Sequence, residues 1–365
     1  MQNYEQLGIR RFINACGPAT VVGGSLMPAE VLDAMQEGAR SFVNLNALNL
    51  KAGEYMARRI GVEAATISCG AASGMQLAAA AYLTGTDQDR ITQLPHTEGW
   101  KNEFVISTVD THIFVHQGIE ACGGKLVRAG DTQSVTTEDI LDSLSDNTAA
   151  VVHFLGKQGK DQLREVIEGC ESQGVPVIVD AANELPPRSN LTEIAGMGAS
   201  LVVFSGGKGI RGPQNSGLVL GEKEMVEAVR LNASPRTAIG RGMKVGKEEI
   251  MGIVTAVDLF LKGSDEEDHT TWEWQASCIV DALKGVPDLR AYVLREGQEM
   301  TPDDIPRAYV DMDERRAEEA VRLMLEGEPS VYLRQSIKGI VVDPTGLVPG
   351  EEEVVAERLR VILLG

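Results

Sequence analysis

Seven short runs rich in Val and Ile, each bounded by Gly, Asp or Ser, lie at 66–69, 104–108, 125–128, 149–155, 175–182, 201–205 and 217–220. Runs of that length with no polar alternation read as strands buried on both faces. Helical patterns separate several of them. At 162–173, Leu163, Val166, Ile167 and Cys170 share one face and Gly174 supplies the stop. Strand alternating with helix dictates a largely parallel sheet covered on both sides. After about residue 222 the texture changes to long helical segments at 247–262 and 272–283, extended stretches at 289–294 and 307–310, a helix at 314–325, a stretch at 331–343 and a last helix at 351–364. The expected fold is α/β: a mostly parallel seven-stranded sheet in a large domain, with a smaller α+β C-terminal domain. The expected division is an N-terminal segment at 1–28, a large domain at 29–245 and a small domain at 246–365. The acidic cluster Gly263-Ser-Asp-Glu-Glu-Asp268 reads as a solvated turn between two helices. No period of 20 to 50 residues recurs, which excludes a repeat architecture.

With 34 Lys and Arg against 53 Asp and Glu, the 365-residue chain carries a formal charge of −19. Its mean field repels polyanions, so nucleic acid is not an expected partner. At 43% apolar and 24% charged residues the composition is that of a folded globular chain. Cys16, Cys69, Cys122, Cys170 and Cys278 are odd in number and far apart, and they read as reduced thiols. The N-terminus lacks a basic segment followed by an apolar stretch, and no run of about 18 apolar residues occurs, so a cytoplasmic protein is expected.

In open α/β sheets ligands gather beyond the C-terminal ends of the strands. Four such exits carry unusual residues. Ser68-Cys-Gly-Ala-Ala-Ser-Gly74 exposes backbone N–H groups at a helix start, where the dipole favours an anion, so Gly70, Ala71, Ala72 and Ser73 are candidate phosphate ligands. Thr108-Val-Asp-Thr-His112, followed by His116, offers imidazoles that can stack on a flat ring or relay a proton. Histidines four apart can share a metal, but no H-E-x-x-H pattern or third ligand accompanies them, and no metal is expected. The run ending in Asp180 places a carboxylate where burial demands a cation opposite. Phe204-Ser-Gly-Gly-Lys-Gly-Ile-Arg-Gly-Pro-Gln-Asn-Ser-Gly217 sets Lys208 in a glycine-rich loop. It is not a nucleotide P-loop, because Val202 stands where the first Gly belongs and Gly209 where Ser or Thr belongs. An anion cradle, a ring-facing His, a buried Asp and a Lys on successive strand exits match the demands of pyridoxal 5′-phosphate: a helix start for its phosphate, a flat partner for its ring, a carboxylate for its pyridine nitrogen and an amine for its aldehyde. Lys208 is the candidate Schiff-base amine and α-carbon proton carrier.

The segments Phe12-Ile-Asn-Ala-Cys-Gly-Pro-Ala-Thr-Val-Val-Gly-Gly-Ser25, Ala52-Gly-Glu-Tyr-Met-Ala-Arg58, Val179-Asp-Ala-Ala-Asn-Glu-Leu-Pro-Pro187, Ser205-Gly-Gly-Lys-Gly-Ile-Arg-Gly-Pro-Gln214 and Met243-Lys-Val-Gly-Lys-Glu-Glu-Ile250 resemble the fold type I pyridoxal phosphate enzymes that include bacterial selenocysteine synthase and the D-glucosaminate-6-phosphate ammonia-lyases. The resemblance runs over nearly the whole chain. It implies that Lys208 carries the cofactor, that Asp180 faces the pyridine nitrogen, that Ser205 with Gly70, Ala71 and Ala72 holds the phosphate, and that His112 stacks on the ring. The lyase branch often has Tyr near the position of His116, and this departure leaves substrate choice open. Selenocysteine synthase is the poorer match, since it carries an extra N-terminal portion that grips tRNA, whereas the shared Ile-Asn-Ala begins here at residue 13. The family's dimeric site implies a homodimer or higher homo-oligomer, with Asn14 and the Gly23-Gly24-Ser25 loop near substrate and residues 237–241 near a neighbour's phosphate. Arg334 is the candidate for the substrate carboxylate, and Arg211 for an anionic tail such as a sugar phosphate. The expected activity is α-proton abstraction, β-elimination and ammonia release from a small amino acid, D-glucosaminate 6-phosphate being the leading substrate. Aldol cleavage, racemisation or sulfur or selenium transfer is the alternative, and a non-catalytic scaffold the alternative of another class.

Overall fold

In the computed structural model, which describes residues 4–294 and 305–365, all seven apolar runs join one sheet. Numbered in chain order after the short β1 (Ile13–Asn14), they are β2 (Ala64–Ser68), β3 (Glu103–Ser107), β4 (Lys125–Ala129), β5 (Thr148–Phe154), β6 (Val177–Asp180), β7 (Leu201–Ser205) and β8 (Gly217–Gly221). The spatial order is β2-β8-β7-β6-β5-β3-β4, parallel except for β8, which is antiparallel to both neighbours. Every residue of β5 is buried, as a central strand covered on both faces requires. One face packs on Met56, Leu163, Val166 and Phe260, the other on Met75, Leu77 and the run Ala78 to Ala81. Small residues let helix Ala71–Thr84 lie close to the sheet. A β-carbon on Gly74 would stand 2.7 Å from Val203 Cγ1.

Parallel strands bring the ends of β2, β3, β5, β6 and β7 to one edge of the sheet, and the antiparallel β8 begins there. Gly217 is registered with Ser68 on one side and Ser205 on the other. All four strand exits marked in the sequence therefore open on the same edge.

The chain forms two compact units, 27–263 and 4–26 with 264–365. Helix Lys247–Lys262 belongs to the large unit, beyond the boundary expected at 245, because Ile250, Ile253, Ala256, Val257 and Phe260 complete the large core. The smaller unit contains β9 (Arg290–Leu294), β10 (Arg307–Asp311), β11 (Val331–Tyr332), β12 (Arg334–Ser336) and β13 (Gly339–Val342). β12-β13-β10-β9 form an antiparallel sheet, and β1 pairs in parallel with β11. The N-terminal segment is thus a strand-bearing part of the smaller unit. The acidic cluster at 265–268 is not a turn but the first turn of helix Asp265–Ala282. The Ser264 side chain accepts the Glu267 N–H there, and carboxylates favour the positive end of the helix dipole. Among the described residues no helix is long and apolar enough to cross a membrane.

Candidate active site

The loop between β2 and helix Ala71–Thr84 folds inward on its carbonyl. The Gly70 oxygen accepts hydrogen bonds from Ser68 Oγ (2.8 Å), Ser73 Oγ (2.8 Å) and the Gly74 N–H (3.0 Å). Ser73 is therefore engaged through its hydroxyl with its own loop. Gly70 has φ +127°, a conformation that a side chain would strain, yet a β-carbon there would meet nothing within 4 Å. No side chain caps the helix start, so the N–H groups of its first turn have no side-chain acceptor, beside the open space at Gly70. Ser205, across Gly217 from Ser68, stands two strands from this loop. A β-carbon on Gly217 would come within 2.7 Å of both the Gly70 carbonyl carbon and Ser68 Oγ. Gly217→Ala is expected to displace the loop at a cost of about 1–3 kcal/mol, read from denaturant unfolding; an unchanged midpoint would show that the contact yields freely.

Asp180 ends β6, where its Oδ1 accepts the Ala182 N–H at 3.0 Å. Burial pushes its carboxyl above the usual carboxylate range, against the opposing pull of the Ala182 N–H, His112 and Lys208. Lys208, in the loop from β7 to β8, donates from Nζ to Asn183 Oδ1 at 2.7 Å. Burial lowers the ammonium pKa, while the charges of Asp180 and Glu184 hold it up. The acid and the amine thus act on one another electrostatically, and burial disfavours the charged form of each. Asn183 is a contact that the sequence reading did not single out, although it lies inside the Asp180 run.

His112 precedes helix Ile113–Ala121 and is also electrostatically coupled to Asp180 and Lys208. Its ring lies nearly parallel to Phe154, at 5.9 Å between centroids and 17° between planes. Its Nδ1 is 2.5 Å from Asp110 Oδ1, and Nε2 of the buried His116 is 2.8 Å from Asp110 Oδ2. The two histidines converge on a carboxylate. Asp110 was not foreseen as a site residue, and the local signal was an acid two residues before one His and six before the other. Among the described residues no group of His, Cys, Asp and Glu is arranged to hold a metal.

Arg211 is exposed, with φ 58°, and its N–H bonds the Lys208 carbonyl at 2.8 Å. In the smaller unit Arg334 is exposed and acts electrostatically on Cys16. Asn14 holds its own turn: Nδ2 donates to the Gly17 carbonyl (3.0 Å) and Oδ1 accepts the Cys16 N–H (3.1 Å).

No family model matches the chain. It is 29% identical to a D-glucosaminate-6-phosphate ammonia lyase of Salmonella typhimurium, over 98% of this chain and 97% of that protein. It is 31% identical to a 5'-C-glycyluridine monooxygenase-decarboxylase of a Streptomyces species, over 99% of this chain and 92% of that one. An L-seryl-tRNA(Sec) selenium transferase of Aquifex aeolicus is 20% identical, over 89% and 78%. A solved structure of D-glucosaminate-6-phosphate ammonia-lyase superposes with a TM-score of 0.84 at 28% identity, covering 100% of this chain and 98% of that one.

Proposed function

We propose that this chain, which belongs to the fold type I pyridoxal 5′-phosphate-dependent family that includes the selenocysteine synthases and D-glucosaminate-6-phosphate ammonia-lyase, is itself an ammonia-lyase of small amino acids. The observation that carries this reading is the electrostatically coupled pair, Asp180 and Lys208, at the ligand-gathering edge of the sheet.

The residues fit the cofactor. A carboxylate that burial makes costly as a lone anion suits a cationic ring nitrogen, and an uncapped helix start suits a phosphate. When bound, pyridoxal phosphate supplies an aldehyde for amines and an electron-withdrawing ring. Asp180 holds the proton on the pyridine nitrogen. The N–H groups of Ala71, Ala72 and Ser73, with the Ser205 hydroxyl, would hold the phosphate, and Gly70 would let it approach the backbone. His112 would lie against the ring. Burial leaves a larger neutral fraction of the Lys208 amine than a surface lysine has, and Nζ then takes the proton from the substrate α-carbon. Net loss of the α-hydrogen and the β-hydroxyl as water, followed by hydrolysis of the resulting enamine, would give a 2-oxo acid and ammonia. The working form is a homo-oligomer acting on small molecules.

D-glucosaminate 6-phosphate, or an amino-sugar acid like it, is the proposed substrate, with Arg211 for its phosphate. Arg211→Ala is expected to raise KM about 10- to 100-fold with little change in kcat; a loss confined to kcat would remove Arg211 from substrate binding. The similarity to the monooxygenase-decarboxylase favours a second reading, oxidative decarboxylation of a glycyl-type amino acid. Incubation with candidate amino acids separates the two. Ammonia release without oxygen uptake supports elimination, whereas carbon dioxide release coupled to oxygen uptake replaces it.

A further inference from the structure

We infer that Asp110 is a positioning residue for His112, fixing the imidazole in one orientation and one protonation pattern and leaving Nε2 as its open nitrogen. The inference rests on the functional reading above and deepens it. Asp110 is buried, its side chain 0% exposed, and both of its oxygens are committed: Oδ1 to His112 Nδ1, Oδ2 to His116 Nε2. A buried carboxylate accepts and does not donate, so each imidazole must present an N–H to it. Oδ2 also accepts the His112 backbone N–H at 2.9 Å, which ties the ring to the turn that begins its helix. His116 sits one helical turn on and is itself buried, so it braces the acid from behind.

The His112 ring is thus held at one edge by Asp110 and on one face by Phe154, while the side chain remains 45% exposed. Phe154 ends β5 in register with Asp180 on β6, so the clamp stands on the strands that carry the acid of the site. Nε2 has no hydrogen bond among the described residues. The charged groups that act on the ring are Asp110 and Asp180, which favour its cation, and Lys208, which opposes it. The hydrogen bond to Asp110 is the largest influence and raises the His112 pKa, so a proton on Nε2 persists to higher pH than on a solvated histidine. A ring locked in this way serves as both a flat platform and a proton carrier.

The test is a histidine NMR titration of the purified full chain without added cofactor, comparing native protein with Asp110→Asn and Asp110→Ala. Asn keeps an acceptor oxygen and removes the charge. Native His112 should titrate above the ordinary value of about 6.5 and keep its proton on Nδ1 when neutral. Asp110→Asn should lower that titration by about 1 pH unit while preserving the tautomer, and Asp110→Ala should lose both. The basic limb of the ammonia-release profile should move with the Asn variant. An unshifted titration in Asp110→Asn, or a neutral native ring with its proton on Nε2, overturns the inference. The native titration decides even if a variant fails to fold. Binding of pyridoxal phosphate is read separately, by visible absorbance, so failure of the cofactor reading and failure of the His112 assignment give different results.

Discussion

Lys208→Ala is expected to lower ammonia release by at least about 10³-fold while circular dichroism and the unfolding temperature stay close to native. The size follows from the two tasks assigned to one nitrogen, joining the cofactor and carrying the α-proton, neither of which a methyl group performs. The fold is expected to survive because Lys208 lies in a loop, where its Nζ bonds Asn183, and contributes to no apolar core. Lys208→Arg should fare no better, since a guanidinium holds its proton throughout the working pH range. Turnover within tenfold of native in Lys208→Ala would remove the residue from the chemistry.

Asp180→Asn is the second large effect, with turnover reduced at least about 10²-fold because an amide cannot keep the pyridine nitrogen cationic. Stability should move the other way. The folded-state pKa of Asp180 lies above its unfolded value, because burial disfavours the charged form. A group of that sign costs nothing below its unfolded pKa and becomes increasingly unfavourable as pH rises towards the folded one. At neutral pH the cofactor-free Asn variant should therefore unfold at a temperature equal to or above that of native protein, and the difference should vanish in acid. A neutral-pH loss of several degrees would mean that Asp180 serves the fold rather than the cofactor.

Much of this was legible in the residues. Continuous Val- and Ile-rich runs admit few environments, and all seven became strands of one sheet with no end shifted by more than two residues. The final helix, Glu351–Leu364, announces itself by period and by acids in its first turn. Partner choice was less legible, because it depends on what the fold brings together. Nothing local tells helix Lys247–Lys262 to complete the large core, since an amphipathic face can cover either unit equally well. The acids at 265–268 look solvated, and the deciding feature is the single Ser264 in front of them. In the site, residue types at strand exits were readable because topology gathers them on one edge. The bonds of Asp110 and Asn183 were not, because an Asp or Asn beside a loop satisfies its own backbone as readily as a distant side chain. Asn14 shows that alternative realised, both ends of its amide being bound within the turn 14–17.

The most direct measurement is borohydride reduction of the purified protein incubated with pyridoxal 5′-phosphate, followed by peptide mass mapping. A single pyridoxyl label is expected on Lys208, formed in native protein and absent from Lys208→Ala. A label on another lysine, or no stable label after saturation with cofactor, would contradict it.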